Sequence, residues 1–120
     1  MNSQCRGLTH VWIDGENDES KRLPKEGWLP ASLESLTLSR IKSVETLECK
    51  GLAHLTSLKR LVIDDCPKLE NIEGEKLPAS LKQLEIHNSP LLGKRCQMKE
   101  PQLWSKISHI RKIQVDDRWI

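Results

Sequence analysis

The chain has 120 residues, enough for one domain with an adequate but not large core. Its 19 basic and 17 acidic residues leave a net charge of +2, so bulk electrostatics make no case for nucleic acid or an anionic membrane as partner. There is no Phe and no Tyr, so a core must come mainly from Leu and Ile with four Trp, and no apolar run approaches the ~20 residues of a spanning helix.

Met1 to Gly7 forms a polar tail without the apolar centre of a signal peptide. Cys5, Cys49, Cys66 and Cys96 are scattered and include no Cys-x-x-Cys pair. The simplest compartment is therefore the cytoplasm, or the nucleus, with the cysteines as buried thiols; an extracellular disulfide frame is the weaker alternative.

From Leu8 onward one apolar phrase returns five times: Leu8-Val11-Ile13, Leu33-Leu36-Leu38, Leu58-Leu61-Ile63, Leu81-Leu84-Ile86 and Ile110-Ile113-Val115. The starts lie 25, 25, 23 and 29 residues apart. The last pair in each copy has the period of a strand. Short strands so far apart cannot pair as hairpins, but they can stack in parallel with each intervening segment crossing the back. A period in the twenties with this phrase predicts a leucine-rich-repeat solenoid of the α/β class. Its short parallel sheet is expected on the concave face and mostly irregular or 3-10 turns on the convex side.

In chain order, the first strand is predicted near residues 11–15. Asp14 to Gly27 is polar and reads as an exposed loop on the back. Leu29-Pro30-Ala31-Ser32-Leu33 leads to a strand near 36–40, with Ile41, Val44 and Leu47 turning inward. Leu55-Thr56-Ser57-Leu58 leads to a strand near 61–65. Cys66-Pro67 then starts a turn that sends Leu69 and Ile72 inward. Leu77-Pro78-Ala79-Ser80-Leu81 repeats the first approach and leads to a strand near 84–88. Pro30 and Pro78 each sit just before a strand, where the missing N–H costs little. Leu91 to Met98 reads as a short helix stopped before Pro101, and Trp104, Ile107 and Ile110 lead to a last strand near 113–117. The divisions are a tail at 1–7, about four repeats over 8–92 and a capping repeat over 93–120. Leu8, Leu33, Leu36, Leu38, Leu58, Leu61, Ile63, Leu69, Leu81, Leu84, Ile86, Ile110 and Ile113 are expected in the core. The N-terminal edge is expected to lack a cap, so that the isolated chain self-associates there.

Residues between the apolar positions must form outward columns. The first holds His10, Ser35, Arg60, Gln83 and Lys112. The second holds Trp12, Thr37, Val62, Glu85 and Gln114. The third holds Asp14, Ser39, Asp64, His87 and Asp116. A large aromatic between segregated charges suits a protein partner; the plain alternative is a solvated sheet face. The candidate contact residues are His10, Trp12, Asp14, Arg60, Val62, Asp64, Gln83, Glu85, His87, Lys112, Gln114 and Asp116. His87 beside Asp64 and Asp116 reads as an ordinary exposed histidine, or as one whose pKa the acids raise. Cys66, Cys49 and Cys96 read as structural, His109 as a packing or hydrogen-bonding residue, Trp104 as a plug for the cap, and Trp119 as exposed. No catalytic Ser/His/Asp set, paired-carboxylate site, metal-ligand cluster or nucleotide-binding phosphate loop is legible; Gly93-Lys94 lacks both the upstream glycine and a following Ser or Thr. No catalytic, metal or cofactor residues are assigned.

Three phrases carry a family resemblance: LPASLKQLEIHNSPLL at Leu77 to Leu92, KRCQ at Lys94 to Gln97, and WSKISHIRKIQVDD at Trp104 to Asp117. They resemble the C-terminal end of the leucine-rich-repeat region of plant coiled-coil-type nucleotide-binding leucine-rich-repeat disease-resistance proteins. Ser89 stands where the family usually has Cys before the proline, and Arg111 where it usually has Pro. Pro101-Gln102-Leu103 replaces the usual Gly and acidic residues before the Trp. The resemblance covers roughly Leu29 to Ile120, and Leu8 to Ile13 more weakly. It implies a protein–protein interaction module of innate immunity that recognises an effector or guarded host protein, or restrains the receptor's nucleotide-binding module, present here as a fragment or truncated product. The alternative is a remnant repeat protein that regulates a full-length receptor or has no independent role.

Overall fold

A computed structural model of the chain describes residues 9–15, 21–23 and 29–120. The alternation in each apolar phrase turns one side of every strand inward, and five such strands lie side by side. They are β1 (His10–Asp14), β3 (Ser35–Ser39), β5 (Arg60–Asp64), β7 (Gln83–His87) and β8 (Lys112–Val115), all parallel. The fold is thus mostly parallel sheet with a few helices, an α/β arrangement, and neither sheet closes or curls. All five strands begin one residue earlier than the phrase suggested. Register follows the phrase: Leu36 pairs with Leu61 and Leu61 with Leu84, and Leu38, Ile63 and Ile86 do the same. Every residue expected in the core is buried except Leu8, which with the 1–7 tail and Cys5 lies outside the described residues.

Behind this front sheet lies a second ladder, β2 (Arg22–Leu23), β4 (Thr46–Glu48) and β6 (Asn71–Glu73), also parallel. This corrects the expectation of an irregular back. A single 3-10 turn, Cys49–Gly51, interrupts it among the described residues. The reading of 14–27 as an exposed loop is corrected at 21–23, where Arg22 and Leu23 form a strand and Leu23 is 1% exposed; residues 16–20 and 24–27 lie outside the described residues. Leu23, Leu47 and Ile72 line up and face the front sheet's leucines. Arg22 and Glu73 beside them are exposed, whereas Thr46 is buried with Leu47. Burying one apolar residue per turn is enough to hold the ladder, because backbone bonds between crossings supply the rest.

Helix α1 (Pro90–Gln97) and helix α2 (Pro101–Ile107) follow β7, each with proline at its start, where no intrahelical N–H is needed. The expected helix over 91–98 is α1; α2 was not foreseen. Leu92, Cys96, Leu103 and Ile107 are buried against the sheets, and Trp104 is half-buried against the core. Gly93 lets α1 approach β8, since a Cβ there would lie 3.0 Å from Val115 Cγ1. The last strand is shorter than expected. Asp116 and Asp117 turn the chain back as β9 (Arg118–Trp119), antiparallel to β8. β1 is the other end of the front sheet among the described residues.

Candidate functional site: the outward face of the front sheet

Register assembles the predicted columns. His10, Ser35, Arg60, Gln83 and Lys112 are consecutive partners, as are Trp12, Thr37, Val62, Glu85 and Gln114. Asp14, Ser39, Asp64 and His87 form the third column. Asp116 does not belong to the ladder. It sits just past β8 with φ 53°, a left-handed conformation that Asp tolerates, and its Oδ1 accepts the Asn88 N–H at 2.9 Å. Arg40, Asp65 and Asn88 hold the same conformation just after β3, β5 and β7.

The face is not uniformly exposed. Trp12 is 69% exposed, whereas Val62 and Glu85 are 8% and 7% exposed. Trp12, Thr37, Arg60, Val62, Asp64, Glu85, His87 and Asn88 surround an open hollow of about 390 Å³. Glu85 is its polar centre. Arg60 Nε donates to Glu85 Oε2 at 2.7 Å and Gln83 Nε2 donates to the same oxygen at 2.6 Å, while His87 Nε2 lies 3.1 Å from Oε1. Burial pushes the Glu85 carboxyl up. The hydrogen bonds from His87 and Arg60, with the charges on those residues, outweigh it and hold the group below its usual value. His87 stands opposite Asp64 in the ladder, as the columns predict, but its ring bonds to Glu85, and Asp116 is not its column neighbour. Asp64 instead accepts a long 3.4 Å bond from Asn88 Nδ2. At the β1 end, Asp14 is held by the Arg40 guanidinium.

Lys59, Lys82 and Arg111 were missed by the column analysis. They stand one residue before β5, β7 and β8, so they extend the first column's basic end past the strands. The signal was present as the residue following each apolar opener, at 9, 34, 59, 82 and 111, which turns basic from 59 onward.

Residues read as structural are placed so. Cys49, Cys66 and Cys96 are buried free thiols. Burial pushes Cys49 up to about 11 and Cys96 up to about 12. Ser89, in the place of the expected Cys, is 3% exposed. Its hydroxyl accepts the Cys66 N–H at 3.1 Å and donates to the His87 carbonyl at 3.0 Å, so it pins the turn after β7 to that after β5. His109 Nε2 bonds to the Pro78 carbonyl at 3.2 Å. Trp119 is 61% exposed. On the back, Arg95 Nη1 donates to Asn71 Oδ1 at 2.7 Å and Lys106 Nζ to the Ile72 carbonyl at 2.6 Å; both tie the helices to β6. Among the described residues, no group of three or more His, Cys, Asp or Glu is placed to hold a metal ion, and no helix is long and apolar enough to cross a membrane.

The molecule so described is an α/β domain whose front sheet presents an ordered row of polar side chains on one face. Over 109 residues, 91% of the chain, it is 32% identical to a putative disease resistance protein of Arabidopsis thaliana. The chain is related to that plant protein and spans 8% of its length. No protein-family model matches the chain, and no solved structure matches it.

Proposed function

We propose that the chain is a leucine-rich-repeat solenoid, the C-terminal part of the repeat region of a coiled-coil-type nucleotide-binding leucine-rich-repeat disease-resistance protein. In plant defence it acts as a protein–protein interaction module. It recognises an effector or a guarded host protein, or it restrains the receptor's nucleotide-binding module. It works in the cytoplasm or nucleus, without catalysis and without a cofactor of its own. The relationship to a plant disease resistance protein supports the setting. Strand offsets of 25, 25 and 23 residues from β1 through β7, each in register with the last, support the repeat architecture.

The observation that carries the binding role is the Trp12 side chain, 69% exposed beside the hollow around Glu85. A large apolar side chain left in water next to preorganised charges is what a binding anchor looks like. The polar groups under it are already paired to one another, so a partner meets a fixed surface and orders little on docking.

The test is capture of an effector, guarded host protein or nucleotide-binding module by the 120-residue chain, compared with the double variant Trp12→Ala, Arg60→Ala. Both side chains are exposed, and Gln83 and His87 still hold Glu85 when Arg60 is gone. Loss of binding with an unchanged circular dichroism spectrum supports the front face. Unchanged binding, with loss on substituting Lys68 and Glu70 on the opposite side, overturns it.

A further inference from the structure

The front sheet's basic end forms a continuous row. Lys59, Lys82 and Arg111 precede β5, β7 and β8, and Arg60 and Lys112 begin β5 and β8. Backbone bonds hold the strands at one height: the N–H groups of Lys82 and Gln83 donate to the Lys59 carbonyl at 2.9 and 3.0 Å, and the Lys112 N–H donates to the Lys82 carbonyl at 3.2 Å. Three adjacent strands at ~4.8 Å spacing make a row about 10 Å wide. Together with Gln83 these cations line an open groove. All five are exposed.

Arg60 is the one cation of this row in an ion pair with a described residue, through Glu85. No ion pair among the described residues involves Lys59, Lys82, Arg111 or Lys112. Like charges on neighbouring strands repel and weaken the sheet. A chain with net charge +2 has acids enough to intersperse them, as it does elsewhere by pairing Arg22 with Glu48 and Glu73. Here it does not. Glu34 is the acid nearest in the series, one strand earlier and outside the groove.

We propose that this groove binds an acidic peptide segment of a protein partner, in extended form across β5, β7 and β8. The proposal rests on the reading of the front sheet as a protein-binding face and adds the chemistry of what it recognises. Alternate side chains of an extended peptide recur every ~7 Å, so two or three carboxylates span the row. A single phosphate would engage only part of it. Single-stranded nucleic acid is disfavoured because, among the described residues, no aromatic side chain lines the groove for a base to stack on.

The probe is a fluorescein-labelled peptide of alternating Glu and Gly, titrated with the 120-residue chain by anisotropy. Binding at low salt should disappear near 1 M salt, where the Debye length falls to ~3 Å. The variant Lys82→Glu, Lys112→Glu should weaken binding roughly tenfold or more. The variant Lys68→Glu, Lys94→Glu changes the net charge equally but off the groove, and should bind like wild type. If charge reversal disturbs the circular dichroism spectrum, the neutral pair Lys82→Gln, Lys112→Gln replaces it and should also weaken binding. No binding by wild type, equal loss in the off-groove variant, or equal or tighter binding of a single-stranded oligonucleotide or inorganic phosphate would each overturn the proposal. Trp12→Ala separates the two readings, because it should leave peptide binding intact. Partner capture that depends on Trp12 but not on Lys82 and Lys112 sinks the groove and spares the front face.

Discussion

Leu61 is the most informative core position to perturb. Its side chain is 0% exposed and sits between Leu36 and Leu84 in the middle strand of the front sheet. Leu61→Ala removes buried methyl groups where the backbone cannot close in, because β5 is bonded on both sides by β3 and β7. Core Leu→Ala changes cost about 2–5 kcal/mol, and a site unable to collapse falls toward the upper part, so about 3–4 kcal/mol is expected here. A domain of this size has roughly 5–15 kcal/mol in total. The melting temperature should fall by about 12–16 °C. Urea unfolding followed by circular dichroism measures the change, and an unchanged m-value keeps the comparison valid. Leu91→Ala, at a side chain 44% exposed on α1, is the control and should cost under ~1 kcal/mol. A Leu61→Ala cost no larger than that of Leu91→Ala would refute the stacked core.

Gly74→Ala should destabilise by about 1–3 kcal/mol, since φ is +116° and a Cβ would meet Cys49 Cβ at 2.6 Å; a neutral effect in urea unfolding would contradict the turn after β6. Glu85 is ionised more readily in the fold than in the unfolded chain. Its contribution is therefore present above the unfolded pKa and is lost as pH falls through the lower folded one. Glu85→Gln should flatten the acid limb of the stability–pH curve below the usual carboxylate range, and an unaltered limb would remove Glu85 from the network. Cys49 and Cys96, raised to about 11 and about 12 by burial, should react with a thiol reagent far more slowly in the native protein than in urea; rapid native labelling of either would show that it is not buried.

The front sheet was legible in the sequence because its apolar phrase is long enough to fix period and phase together. Once Leu36, Leu61 and Leu84 are equivalent, sheet pairing follows, and with it the membership of the outward columns except at Asp116. The back ladder was missed for a physical reason. Leu23, Leu47 and Ile72 each stand as one apolar residue among polar ones, which gives no period to read, and only the neighbouring crossing supplies the backbone partners that make a strand.

On the outward face, sequence determined which residues share a column but not how they spend their charges. Spacing put His87 with Asp64 and Asp116. The ladder keeps it opposite Asp64, but its ring bonds to Glu85, because side chains two residues apart on one strand point the same way and both reach the hollow. The same packing closed over Val62 and Glu85, leaving Trp12 in water. The basic row also needed three dimensions: Lys59, Lys82 and Arg111 are 23 and 29 residues apart in sequence, and only parallel stacking brings them side by side. The sequence alone set the five parallel strands of the front sheet and their order, since burial of leucine at a regular interval has few solutions. The tertiary structure alone decided which charges pair across strands, as Arg60 does with Glu85, and which stay open, since that depends on distances between residues on different strands.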